Sequence, residues 1–279
     1  MIPAAFDYVR AGSVEEALGA LAEYGDEAKL LAGGHSLLPL MKLRLARPEV
    51  IVDIGAVGDL RYVRENADSL AIGPLTTMRE LETDPLIAQH APLLAATAHE
   101  IGDPQVRARG TIGGSLAHGD PASDLPATIL ALGATLIVRG PSGERSVAVD
   151  DFFTGFLETA VEDDEMVTEI IIPKIGDAGW SFQKFNLRAQ DYAIVGVSLV
   201  HSQGSGPTGI GLVNMASQPM RAAASEDALR SGGSPKEVGE LATVGTEAQE
   251  DLQASSQYRE HLARVLTERA LVEAITSSG

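Results

Sequence analysis

Two stretches of this 279-residue chain join a glycine pair to hydroxyl residues: Gly33-Gly34-His35-Ser36 and Thr111-Ile112-Gly113-Gly114-Ser115. Glycine lacks a Cβ, so the backbone can approach a ligand closely and adopt positive φ. Consecutive exposed N–H groups then form an anion-binding concavity. Ser36, Thr111 and Ser115 add hydroxyl donors. The chemistry this suits is the capture of a diphosphate, and it needs no surplus of cationic side chains. That matters in a chain with a formal net charge of −18. Each pair taken alone also reads as a plain tight turn. Neither matches G-x-G-x-x-G or a Walker loop, so neither a Rossmann nor a P-loop site is supported.

Other chemistries fall away. The chain has no cysteine, which removes disulfides, thiolate nucleophiles and iron–sulfur ligation by this chain. The histidines show no metal-binding spacing. Nucleic acid is not an expected partner, because phosphate binding needs clustered Lys and Arg; the acidity also reads simply as solubility. No apolar run reaches the roughly 20 residues of a membrane span, and no secretory signal opens the chain. A cytoplasmic protein is expected.

The elements around these turns are legible in outline. Ser13-Val-Glu-Glu16 predicts a capping box, and Gly25 stops the helix it starts. Strands are predicted at 29–32, running into the first glycine pair, and at 50–54 and 69–72. Thr77 to Glu80 is a second capping box, and Pro92 opens a helix to about Ile101. Residues 109–116 read as a second strand–glycine unit. Ser123 or Asp124 caps a helix with Pro126 in its first turn. Strands follow at 134–138, with a turn at 140–143, and at 166–172. Trp180–Asn186, Ala193–Val200 and Gly209–Met215 predict a three-stranded antiparallel set, with a turn at Gly204-Ser-Gly-Pro207. Ser234-Pro235 caps a helix. A long helix from Ser256 to about Ile275 carries Tyr258, Leu262, Val265 and Leu266 on one face.

Three motifs carry a resemblance: Leu30 to Pro39, Lys42-Leu-Arg44, and Thr111 to Pro126 (TIGGSLAHGDPASDLP). They closely resemble the FAD-binding medium subunits of molybdenum-containing hydroxylases, the carbon monoxide dehydrogenase type most nearly. The resemblance spans the whole chain. It implies an α+β protein with a two-subdomain FAD-binding fold of the vanillyl-alcohol-oxidase (PCMH) type over 1–175, divided at about residue 55. A smaller α+β domain with three antiparallel strands and helices follows over 178–279.

The resemblance also assigns roles. Ala32, Gly33, Gly34, His35, Ser36 and Leu37 would hold the FAD diphosphate, and Thr111, Ile112, Gly113, Gly114 and Ser115 would contribute from the second turn. The family usually has Asn where this chain has Ser115, so that donor is shorter here. Asp124 would accept from sugar or ribityl hydroxyls, or serve as the helix cap. Lys184 would lie near the flavin ring, Tyr192 would shield a face, and Met166 or Val167 would line it; Lys184 also reads as a surface cation on an edge strand, and Tyr192 as ordinary packing. The implied partners are a molybdopterin large subunit and a [2Fe-2S] small subunit in a dimerised heterotrimer. Electrons would leave to a quinone or another acceptor, which could draw the complex to the inner membrane face. Two rival readings are a self-contained oxidase with flavin linked to His35 and a binding module that has lost its FAD.

Overall fold

In the computed structural model, residues 2–202, 204 and 206–277 are described. Within the turn expected at 204–207, Ser205 lies outside the described residues.

The first unit is built from β1 (Asp7–Arg10), α1 (Val14–Tyr24), β2 (Ala28–Leu31), α2 (Leu37–Leu43) and β3 (Val50–Asp53). The strands form a small parallel sheet in the order β1-β3-β2. Ser13 caps α1 by accepting from the Glu16 N–H, and Gly25 ends it at φ 55°. The capping box is only half formed, because the Glu16 carboxylate accepts from the Gly12 N–H and not from that of Ser13.

The second unit holds β4 (Val63–Glu65), β5 (Ser69–Ile72), α3 (Met78–Thr83), α4 (Pro85–His90), α5 (Pro92–His99), α6 (Pro104–Arg107), α7 (Ile112–His118) and α8 (Asp124–Leu132). Then come β6 (Thr135–Gly140), β7 (Gly143–Ala148), β8 (Phe153–Gly155), β9 (Glu158–Thr159) and β10 (Met166–Pro173). Its main sheet is antiparallel, in the order β4-β5-β10-β6-β7. Thr77 makes the full reciprocal box with Glu80 at the start of α3, and Pro92 takes the first turn of α5. The expected strand before the second glycine pair is absent. Only one antiparallel bridge, Thr77 to Thr111, forms there. Thr111 accepts from the Gly114 N–H and caps α7, so Gly113 and Gly114 begin a helix.

The C-terminal elements are β11 (Gly179–Phe185), β12 (Val195–His201), β13 (Thr208–Val213), β14 (Met220–Arg221), α9 (Ala223–Arg230), α10 (Pro235–Glu240) and α11 (Ser256–Ser277). The three expected strands pair antiparallel in chain order, and the two-residue β14 adds a fourth at the edge. Helix α8 lies directly on β13, where a Cβ at Gly211 would stand 1.9 Å from the Ala127 carbonyl oxygen. The buried stripe of α11 runs through Arg259, Leu262, Ala263, Leu266, Ala270 and Ala274; Tyr258 lies off it, 42% exposed, and packs edge-on against Phe185.

A chain of buried hydroxyls joins the helices of the second unit to the C-terminal sheet. Thr97 Oγ1 lies 2.9 Å from Thr128 Oγ1, which lies 2.6 Å from Ser198 Oγ. All three side chains are fully buried. Thr128→Val keeps the shape but strands the buried Ser198 hydroxyl and leaves Thr97 only its bond to the Leu93 carbonyl, so it should cost about 1–3 kcal/mol of unfolding free energy in urea titration. A cost indistinguishable from zero would mean the chain is not a tie between the two layers.

Candidate functional site

One cleft of about 590 Å³ opens among the first unit, the second unit and the loop after β11. That is within the roughly 300–1,000 Å³ range of ligand sites. Of the residues expected at a cofactor site, Ala32, Gly33, Gly34, His35, Ser36 and Leu37 line it, as do Thr111, Gly113, Gly114 and Ser115. So do Asp124, Met166, Val167, Lys184 and Tyr192. Ile112 does not. Its side chain is fully buried in the core of the second unit, and its N–H donates to the Thr76 carbonyl.

The two glycine pairs differ in what their backbones offer. Leaving β2, the amides of Gly33, Gly34, His35, Ser36 and Leu37 have no acceptor among the described residues. Gly34 sits at φ 76°, which L side chains rarely adopt. At the second pair the amides are already used. Ile112 donates to Thr76 O, Gly113 to Pro74 O, Gly114 to Thr111 Oγ1 and Ser115 to Thr111 O. The expected pair of equivalent amide cradles is therefore corrected to one, at 33–37. The second pair brings hydroxyls and a bare backbone face. The Ser36 and Ser115 hydroxyls have no protein partner among the described residues. His35 is exposed, and its Nδ1 lies 3.0 Å from the Gly33 carbonyl oxygen.

The glycines also hold the two motifs together. A Cβ on Gly33 would stand 2.1 Å from the Arg109 carbonyl oxygen, and one on Gly113 would stand 2.3 Å from Pro74 Cβ. These contacts are protein against protein. They seat the first turn on the segment leading into the second, and the second on the strand end at Pro74.

Asp124 and Lys184 meet across 60 positions of sequence. Lys184 Nζ donates to Asp124 Oδ2 at 2.6 Å and to the Glu100 carbonyl at 3.1 Å. Both side chains are almost wholly buried, at 5% and 7% exposure. Lys184 belongs to the edge strand β11 but is no surface cation. Asp124 is the first residue of α8 and does not cap it; the cap position is Ser123, which makes no capping bond. Asp124 Oδ1 has no hydrogen-bond partner despite its burial. Burial pushes the Asp124 carboxyl from 3.8 up to about 6, Lys184 pulls against that, and Glu100 adds to it.

Met166 and Val167 are consecutive, yet both are buried. They pair in regular register with Arg139 and Val138, so their side chains leave opposite faces of β10, and both faces are covered. Met166 packs into the core of the first unit and Val167 into that of the second. Tyr192 stands at the cleft rim, 61% exposed. Pro74, Ile101, Gly102 and the run Val161-Glu162-Asp163 complete parts of the wall. No local signal marks them, because they reach the cleft only through the packing of distant elements.

Residues 4–175 match the FAD binding domain in molybdopterin dehydrogenase, and residues 180–274 match the CO dehydrogenase flavoprotein C-terminal domain. The carbon monoxide dehydrogenase medium chain of Hydrogenophaga pseudoflava is 38% identical over 279 residues, with 97% of each chain covered. The 6-hydroxypseudooxynicotine dehydrogenase complex subunit alpha of Paenarthrobacter nicotinovorans is 36% identical over 99% of this chain and 96% of its own. A solved structure of carbon monoxide dehydrogenase from Hydrogenophaga pseudoflava, lacking the Mo-pyranopterin moiety of its molybdenum cofactor, superposes with a TM-score of 0.95 at 40% identity, over 99% of both chains. Among the described residues no helix is long and apolar enough to cross a membrane. The chain belongs to the FAD-binding medium subunits of molybdenum hydroxylases, an oxidoreductase family of the carbon monoxide dehydrogenase type whose cofactor is FAD.

Proposed function

We propose that this chain holds FAD in the cleft and relays electrons from an iron–sulfur subunit, itself supplied by a molybdopterin subunit, to an external acceptor such as a quinone. The observation that carries this reading is the run of acceptor-free amides from Gly33 to Leu37, in the wall of the same cleft as the orphaned, buried Asp124 Oδ1. An anion answers the first, and a hydroxyl-bearing chain answers the second.

The amides of 33–37, with Ala32 behind them, bind the diphosphate. Ser36, Thr111 and Ser115 offer hydroxyls to it, and Gly113 and Gly114 leave their face of the cleft bare. Asp124 Oδ1 accepts from a sugar or ribityl hydroxyl while Oδ2 stays on Lys184. Lys184 places a fixed positive charge at that end of the cleft, favouring negative charge added there. Met166 and Val167 give the ring an apolar floor, and Tyr192 covers one face. Bound FAD supplies the redox chemistry, and the protein supplies position and electrostatics.

We also place the division between the FAD-binding part, 1–175, and the C-terminal part, 178–279, at the short segment before β11. The two family matches meet there, which supports this division. A quinone acceptor would bring the complex to the inner membrane face. The molecule oxidised at the molybdenum site is set by the large subunit. Full-length matches to medium subunits favour this reading over a self-contained oxidase with flavin on His35.

Purified from its native host by an affinity tag, the chain should carry non-covalent flavin and bring iron and molybdenum with it. Flavin absent after reconstitution with FAD would overturn the cofactor reading. Flavin that precipitates with acid-denatured protein would revive a covalent link. Flavin without any iron or molybdenum would leave a flavoprotein but remove the relay.

A further inference from the structure

From Ala28 to Pro48 the sequence has no acidic residue, in a chain whose net charge is −18. This stretch ends in Lys42, Leu43, Arg44, Leu45, Ala46 and Arg47, the close of α2 and the loop after it. Among the described residues no carboxylate pairs with Lys42, Arg44 or Arg47; the Arg47 Nε donates only to the Arg44 carbonyl, at 3.1 Å. Beside these cations Leu43 is 55% exposed and Leu45 is 74% exposed. The patch is preformed. The Leu45 and Ala46 amides both donate to the Leu40 carbonyl, at 2.9 and 3.3 Å.

Arg44 adds a second, independent sign. It closes α2 in the left-handed region, at φ 60° and ψ 26°. Glycine is the usual residue there, and an L side chain is strained in it. Strain kept at such a position points to a use for the side chain. The same helix also supplies Leu37 and Leu40 to the cleft wall, so the patch is continuous with the proposed cofactor site.

We infer that Lys42, Arg44, Arg47, Leu43 and Leu45 form the docking surface for an acidic-rimmed protein subunit of the electron relay; this rests on the relay reading above. Exposed leucines interleaved with cations that no carboxylate pairs fit a partner with leucine-sized pockets and a carboxylate border. A protein carrying a large negative charge needs such a local reversal to dock another acidic surface. An anionic membrane is the poorer fit. Three cations attract such a surface only weakly, and the chain's remaining negative charge repels it.

The test compares the tagged full-length chain with K42E/R44E/R47E and with R44G in the native host, measuring flavin, iron and molybdenum recovered per chain. The triple variant should keep its flavin and lose at least tenfold of the iron and molybdenum. R44G should melt at a higher temperature, because glycine relieves the backbone, yet recover less iron and molybdenum. That opposition is what a purely structural Arg44 would not produce. Iron and molybdenum recovered at the wild-type level by both variants would overturn the docking surface. No iron or molybdenum with the wild-type chain would overturn the relay reading and the surface together. Flotation of the wild-type chain with phosphatidylglycerol-containing vesicles, lost in the triple variant while metal recovery holds, would overturn the surface in favour of a lipid contact.

Discussion

Gly33→Ala should both empty the cleft of flavin and destabilise the chain by roughly 3 kcal/mol, the upper range for an overpacked contact. The added Cβ meets the Arg109 carbonyl oxygen at 2.1 Å, the Arg109 carbonyl carbon at 2.9 Å and Gly110 Cα at 3.0 Å. All three are backbone atoms, so no rotamer change relieves the clash. The first turn must lift off the segment leading into α7, and the amides of 33–37 move with it. Gly113→Ala should behave alike, because its Cβ meets Pro74 at 2.3 Å. Gly114→Ala is the contrast. Its Cβ meets the Thr111 hydroxyl at 2.8 Å and Ala32 Cβ only at 3.8 Å. A hydroxyl can rotate away, at the cost of the α7 cap, about 1 kcal/mol. Urea unfolding of the apoprotein, with flavin-to-protein ratios after gel filtration, separates these cases. Gly33→Ala within about 0.5 kcal/mol of wild type, the range of an ordinary surface change, would show that the two motifs are not locked by this contact.

Lys184→Met should give the largest pH-dependent loss. It leaves Asp124 buried with neither carboxylate oxygen bonded to a side chain, and stranding one member of a buried pair costs roughly 3–5 kcal/mol. The sign follows from linkage. The Asp124 carboxyl is raised from 3.8 to about 6 in the folded chain, so the folded state holds the proton more tightly than the unfolded state does. That contribution to stability is complete below the unfolded value and is lost as pH rises through the folded one. Removing Lys184 takes away the main influence holding the folded value down, so the loss extends to higher pH. Wild type and Lys184→Met should therefore lie close at about pH 5 and diverge at about pH 7.5 in urea titrations. Carboxylates held low by their partners, such as Glu65 beside Lys174 and Glu165 beside Arg145, tilt stability the other way. They are common to both proteins and cancel in the difference. Adding Asp124→Asn to Lys184→Met should remove most of the pH-dependent gap. A gap of the same size at both pH values would mean the loss comes from packing of the lysine stem, and Asp124 would carry no part of it.

The sequence by itself determined what local chemistry dictates. The Thr77 box, the Pro92 helix start, the Gly25 stop and the alternating strands of the C-terminal sheet all depend on residues within a few positions of one another. The glycine pairs and their hydroxyls could be picked out as candidate ligand contacts for the same reason, and the long motifs identified the family and its cofactor. Local pattern failed where a distant partner competed. Residues 109–111 read as a strand, but Thr111 found the Gly114 amide and began a helix. Tyr258 fell in the apolar period of α11, while the core took Arg259 beside it, whose guanidinium is paired with Asp251.

Tertiary structure alone decided which glycines seat protein on protein and which leave amides free, because that depends on what stands opposite: Arg109 for Gly33, Pro74 for Gly113. It alone turned Asp124 from a candidate cap into a buried acid facing Lys184, since the ion pair exists only when the packing of α8 on β12 and β13 brings the start of α8 to the end of β11. It alone buried both Met166 and Val167 beside the cleft, because a different core covers each face of β10. Side-chain type and spacing record what a residue can do, and the packing of remote elements decides which of those capacities is left unsatisfied, and so available to a ligand.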